Sequence, residues 1–142
     1  MTYEVPTLYA DILRQSHTLI AGQTGSGKSV MLNGILTTAC KQGNNGLILV
    51  DPKRVELRDY KHLPNTLAYA NTPTETVTAL NKAIGIMESR YKQMEREGKK
   101  QYEVDPVLVV IDELADLLIS TECKQIKRQL QTLTALGRAA LV

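Results

Sequence analysis

Apolar residues fall into two alternating patterns along the chain. Short unbroken runs occur at Leu19–Ala21, Leu47–Val50, Leu67–Ala70 and Val107–Ile111. Continuous runs of this length predict strands buried on both faces, as in a parallel sheet. Between them lie stretches with helical spacing. The clearest spans about Pro73 to Glu97, where Val77, Leu80, Ile84, Met87, Tyr91 and Met94 recur at three- and four-residue steps. Thr72 suits the N-cap, Pro73 the first helical position, and Glu75 completes a T-x-x-E capping box. Lys92, Arg96 and Gly98 mark the other end. One apolar stripe on such a helix predicts core packing. A last helix is predicted from about Glu122 to Leu136, with Ile126, Leu130, Leu133 and Leu136 on one side. Strands alternating with helices give an α/β class, a parallel sheet with crossover helices.

Composition narrows the picture without naming a partner. A chain of 142 residues suits one domain with one core, and 43% hydrophobic with 23% charged content is that of a soluble globular protein. Phe and Trp are absent, so Leu, Ile, Val, Ala and Met must build the core. A net charge of +2 is too slight to argue for nucleic acid. Gly98-Lys99-Lys100 reads as a solvated turn, with a DNA-touching loop as its alternative. No apolar run approaches the roughly 20 residues that span a bilayer, and no signal-peptide pattern precedes the first predicted strand, so this piece is expected to be soluble and intracellular. Cys40 and Cys123 form no C-x-x-C pair, which predicts reduced thiols in a cytoplasmic protein.

Gly22-Gln23-Thr24-Gly25-Ser26-Gly27-Lys28-Ser29 fits G-x-x-x-x-G-K-[ST], the phosphate-cradling P-loop pattern. His17 to Gly22 predicts a strand leading in, and Val30, Met31, Leu32, Ile35 and Leu36 predict a helical apolar face leading out. Glycines let backbone N–H groups turn inward around phosphate oxygens with no Cβ in the way. The new helix adds the positive end of its dipole. Lys28 can reach the β- and γ-phosphates, and the Ser29 hydroxyl can ligate Mg²⁺. Gly22 through Val30 is therefore the candidate nucleotide-binding segment.

Asp112-Glu113 follows the strand Val107–Ile111 directly, the Walker B pattern. In a parallel sheet the ligand crevice lies outside the carboxyl ends of the strands. Asp112 there can support Mg²⁺ alongside Ser29, and Glu113 can orient and polarise a water for attack on the γ-phosphate. The alternative is an acidic residue that caps the following helix. Asp116, in the first turn of that helix, reads as structural. Asp51-Pro52-Lys53 ends the second apolar run at the same edge. Pro52 stops a strand because it cannot donate to the ladder, but Asp51 and Lys53 could also touch nucleotide or a neighbouring subunit.

Taken together these segments resemble the motor domain of the FtsK/SpoIIIE DNA translocases. The residues that carry the resemblance are His17–Gly22 running into Gly25-Ser26-Gly27-Lys28-Ser29-Val30, then Asp51-Pro52-Lys53-Arg54-Val55-Glu56-Leu57 with Tyr60 and Leu63. Met87-Glu88-Ser89-Arg90-Tyr91, Val109–Leu117 and Gly137-Arg138-Ala139-Ala140 complete the set. It runs from about Leu8 onward. D-P-K-R-V-E-L and I-D-E-L-A-D are more family-specific than the P-loop. The resemblance implies a RecA-like P-loop ATPase core that uses ATP and Mg²⁺. It also implies a homo-oligomer, a hexameric ring that pulls double-stranded DNA through its centre, in a full-length protein that can be membrane-anchored. The family continues past the position of Val142 into another strand, set between the P-loop strand and the Walker B strand. Residues 1–142 are thus expected to hold an incomplete motor domain with inner strand edges unpaired, each orphaned backbone group costing about 1–3 kcal/mol. Leu141 stands where the family commonly has glycine.

Three functions follow as expectations. The first is the ATP-binding part of an FtsK-like translocase. The second is a nucleotide-binding module without motor activity of its own, since phosphoryl transfer relies on positioned positive charge. The third is another RecA-like motor such as a conjugation coupling protein, which D-P-K-R-V-E-L argues against.

Overall fold

The computed structural model describes residues 16–23, 25–41, 45–102 and 105–142. Thr24 of the P-loop pattern and the start of the family resemblance, residues 8–15, lie outside the described residues. The chain divides into two compact units, residues 1–43 and 44–142.

In the first unit the described regular element is helix α1, Lys28–Lys41, which buries Ile35, Leu36 and Ala39. The strand predicted at Leu19–Ala21 is not formed. Residues 17–23 have no regular structure, and Leu19 is 82% exposed. The reason is that a strand exists through its ladder, and a three-residue apolar run carries no partner of its own. No described residue pairs with this run. The helical face leading out is also shifted. Val30 is 76% exposed, Met31 and Leu32 are half-buried, and full burial begins at Ile35.

The second unit holds a parallel three-stranded sheet, β1 Gly46–Val50, β2 Thr66–Ala70 and β3 Val107–Ile111, in the order β2-β1-β3. Val50 is in register with Ala70 on one side and Ile111 on the other. Central β1 is buried at every position, as its unbroken apolar run predicts. The β1–β2 connection carries one 3₁₀ turn, Arg58–Tyr60.

Helix α2, Pro73–Glu97, has the predicted bounds. Thr72 Oγ1 accepts from Glu75 N at 3.2 Å, while the Glu75 carboxylate accepts from Asn71 N at 2.9 Å, one residue earlier than a standard box. Gly98 closes the helix at φ 65°, the left-handed conformation that glycine adopts without a Cβ clash. The stripe is wider than predicted. Thr76, Ala79 and Ala83 are buried beside Leu80, Met87 and Met94, with Val77, Ile84 and Tyr91 packed at the border.

Helices α3, Leu114–Leu118, and α4, Cys123–Ala140, follow β3. On α4 Ile126, Gln129, Leu133, Gly137 and Ala140 are buried. Leu130 packs at the border, but Leu136 is 47% exposed. The three- and four-residue steps from Ile126 run through Gly137, which leaves Leu136 at the edge of the stripe. Gln129 Nε2 donates to Val77 O and Asn81 Oδ1, tying α4 to α2.

The chain leaves α4 through Leu141, whose φ of 54° lies in the left-handed region. A leucine there costs about 1–2 kcal/mol, a strain that a glycine would not carry. Gly46 N donates to Pro106 O, so the next amide along, that of Val107, faces away from β1. It donates to Leu141 O at 2.8 Å. The outer side of β3 thus carries a rung from Leu141, while Leu108–Ile111 remain half-buried. Arg90 holds the same corner from α2, donating to Ala140 O, Leu141 O and Asp105 O at 2.8, 2.9 and 2.6 Å. Its guanidinium lies 4.5 Å from the Tyr102 ring centroid. No described helix is long and apolar enough to cross a membrane.

Candidate nucleotide site

The glycine loop of the first unit has the backbone that anion binding requires. Gly25 and Gly27 take φ of 81° and 91°. Between them Ser26 N donates to Gln23 O at 3.0 Å, a tight turn, and Met31 N donates to Gly27 O at 2.9 Å as α1 begins. A Cβ on Gly22 would meet the Ser26 hydroxyl, which a turn of that exposed side chain relieves, and would crowd Ser26 Cβ, so glycine is the easiest fit here. Gly22, Gln23, Gly25, Ser26 and Gly27 are exposed, and Lys28 and Ser29, half-buried, open α1. Conformations that only glycine adopts cheaply, placed just before a helix N-terminus, leave backbone N–H groups and the helix dipole to meet an anion.

In the second unit the carboxyl ends of β1 and β3 lie side by side. Val50 and Ile111 are in register, and Asp112 N donates to Val50 O at 3.0 Å. Two parallel strands therefore deliver Asp51-Pro52-Lys53 and Asp112-Glu113 to the same edge. The chain runs from β1 to β2 on one side and returns to β3 on the other, so this is where the strand order reverses.

The four charged side chains at this edge have different surroundings. Asp51 is fully buried, and its carboxylate accepts from Val55 N at 3.3 Å, Leu57 N at 3.1 Å and Tyr69 Oη at 3.3 Å. Burial, then the charge of Asp51 and its hydrogen bond, raises the Tyr69 phenol above its ordinary pKa. Arg54, inside the same turn, has φ 59°, and its amide donates to Asp51 O at 3.1 Å. Lys53 Nζ donates to Glu113 Oε2 at 2.9 Å, with the two side chains 54% and 24% exposed. That hydrogen bond and the carboxylate charge raise the lysine pKa, helped by the charges of Asp116 and Asp112 and opposed by desolvation. Glu113 occupies the N-cap position of α3, yet its side chain makes no capping bond. The helix-cap alternative therefore does not account for it. Asp112 is half-buried, and Asp116 is exposed in the first turn of α3.

The pairing of Lys53 with Glu113, and the use of Asp51 inside its own turn, were not read from the sequence. The available signal was parity of position, since both acidic segments begin directly after a buried run, and adjacent parallel strands bring such segments together. Among the described residues, no three His, Cys, Asp or Glu side chains form a cluster able to hold a metal by themselves. Taken singly, the Ser29 hydroxyl in the first unit and the Asp112 carboxylate in the second are oxygen donors of the kind Mg²⁺ accepts, since that ion keeps several waters and takes one or two protein oxygens plus phosphate. Cys40 and Cys123 are both free thiols.

Residues 4–105 match the model of the FtsK/SpoIIIE family. The DNA translocase FtsK of Staphylococcus aureus (strain Mu50 / ATCC 700699) is 37% identical over 147 aligned residues, covering 87% of this chain and 18% of that protein. The DNA translocase SpoIIIE of Bacillus subtilis (strain 168) is 34% identical over 154, covering 92% and 19%. The chain thus spans about a fifth of the length of these relatives. Among solved structures, the pCW3 conjugation coupling protein TcpA, in a monomer form with ATPγS, is similar with a TM-score of 0.74 and 31% identity, over 89% of this chain and 41% of that one. A parallel sheet with helices like that of TcpA, joined to these sequence matches, is a partial RecA-like core, and the chain belongs to the FtsK/SpoIIIE family.

Proposed function

We propose that this chain is the ATP-binding part of a motor that couples ATP hydrolysis to translocation along double-stranded DNA. Gly22 through Val30 bind the nucleotide, Lys28 reaches its phosphates, Ser29 and Asp112 hold Mg²⁺, and Glu113 orients the attacking water. The observation that carries the reading is the backbone of the glycine loop, positive φ at Gly25 and Gly27 immediately before a helix that opens on Lys28-Ser29. Two relatives named as DNA translocases support the polymer substrate. In this reading the complete protein works as a homo-oligomeric ring, a hexamer, in the cytoplasm, and any membrane anchor belongs to the rest of it.

Titration of Mg-ATP into the folded chain tests the assignment by calorimetry. Binding is expected in the parent and is expected to fall at least tenfold in Lys28→Ala, since a phosphate-directed ammonium is a charge-assisted contact worth about 1.5–3 kcal/mol. Parental affinity in Lys28→Ala would rule the reading out. Turnover with and without duplex DNA then separates a DNA-stimulated ATPase from a nucleotide-binding module that does not turn over.

The likeness to TcpA favours a second reading, an ATPase serving conjugative transfer. It uses the same residues for nucleotide and changes only the task. A strand-displacement assay on the full-length protein separates a motor that unwinds DNA from one that leaves the duplex intact.

A further inference from the structure

We propose that Lys53 is a positioning residue for Glu113, its ammonium fixing the carboxylate at the carboxyl edge of the sheet for work on water. The proposal rests on the reading of Glu113 as the water-orienting group. Three observations carry it. The strands that deliver the two residues are hydrogen-bonded neighbours in register to their last positions, Val50 with Ile111, so neither backbone can drift from the other. The turn that bears Lys53 is pinned from within, because the buried Asp51 carboxylate takes the Val55 and Leu57 amides and the Tyr69 hydroxyl, and Arg54 N returns to Asp51 O. The Glu113 side chain, finally, passes over the helix-capping bond open to it and contacts Lys53 Nζ at 2.9 Å.

A lysine on a loose loop would do little for a carboxylate, but this one starts from a braced backbone. Exposed ion pairs add little to stability, and both partners here are in reach of water. What the contact can supply is orientation, and orientation is what a water-activating group needs. Asp112 and Asp116 add negative charge around the ammonium, which keeps Lys53 at this acidic cluster. In this arrangement Asp51 serves the site at one remove, by shaping the turn that presents Lys53.

The test uses the full chain with Lys53→Met, Lys53→Arg and Glu113→Gln. A water-soluble carbodiimide, which joins a touching ammonium and carboxylate as an amide with net loss of water, reads the contact without any ATPase assay. Peptide mass spectrometry is expected to find Lys53 linked to Glu113 in the parent. Mg-ATP turnover reads the consequence. Lys53→Met is expected to lower kcat about tenfold with KM within about twofold, and Lys53→Arg to recover most of the loss. Glu113→Gln is expected to lose about a hundredfold or more. Absence of the cross-link, or a Lys53→Met protein with parental kcat beside an inactive Glu113→Gln, would overturn the positioning role alone. A Glu113→Gln protein with parental turnover would overturn the assignment of Glu113, and the positioning role with it.

Discussion

At the scale of single residues, Asp51 shows how burial decides a role that sequence leaves open. A carboxylate at the rim of a parallel sheet could face a ligand, but this one is fully buried and accepts from two amides of its own turn and from the Tyr69 hydroxyl of β2. Removing it leaves two backbone amides and a phenol without their acceptor. Hydrogen bonds to charged groups contribute about 1.5–3 kcal/mol each, and local relaxation recovers part of such a loss. Asp51→Ala is therefore expected to destabilise the fold by about 3 kcal/mol, read from the midpoint of urea unfolding at unchanged slope. A loss below about 1 kcal/mol would mean that the turn does not depend on this carboxylate. Tyr69 gives the matching pH dependence. Its folded pKa is raised above 10.0, so its share of stability is complete below that value and is lost as pH rises through the folded pKa. Between pH 9 and 11.5, Tyr69→Phe is expected to lose stability less steeply than the parent. Every other group is the same in both proteins, so equal slopes would remove Tyr69 as the cause.

At the scale of elements, helices were more legible than strands, and α2 shows why. Thr72, Pro73, Glu75 and Gly98 state its ends, and the apolar steps between state its buried face, all within one stretch of chain. Thr72→Ala removes the bond to Glu75 N and is expected to cost about 1 kcal/mol, measured by chemical denaturation. A change within error would show that the Glu75–Asn71 contact alone caps the helix. Strands do not carry their partners with them. Leu19–Ala21 and Val107–Ile111 are both short apolar runs, yet of the two only Val107–Ile111 is paired in a sheet and forms a strand. On α4 the difference between Leu136 and Gly137 is invisible to an apolar count, because a glycine inside the buried stripe offers no apolar side chain to count. The candidate site divides in the same way. The glycine loop is local, eight consecutive residues with positive φ at two of its glycines. The contact between Lys53 and Glu113 spans 60 positions and depends on which strands pair.

At the scale of the whole molecule, the main buried apolar cluster draws its described members, Ile48 through Ala140, from the second unit, and Val142 packs against it, while Ile35, Leu36 and Ala39 are buried in the first. The sheet, its crossover helix α2 and the corner held by Arg90 also lie within residues 44–142. The glycine loop lies wholly in the first unit. The apolar cluster and the glycine loop are thus encoded by different parts of the chain, which a truncation can separate. A polypeptide beginning at Asn44 has 142 − 43 = 99 residues, enough for a single core. It is expected to unfold in one cooperative thermal transition with an enthalpy of about 70 kcal/mol near 60 °C, at about 0.7 kcal/mol per residue. Calorimetry on the same material is expected to detect no binding of Mg-ATP, because Asp112 and Glu113 without a phosphate cradle present only negative charge to a polyanion. A broad, non-cooperative melt would show that the cluster needs residues before Asn44 to hold together. Mg-ATP affinity equal to that of the full chain would move the nucleotide site away from the glycine loop, whatever the backbone at Gly25 and Gly27 looks like.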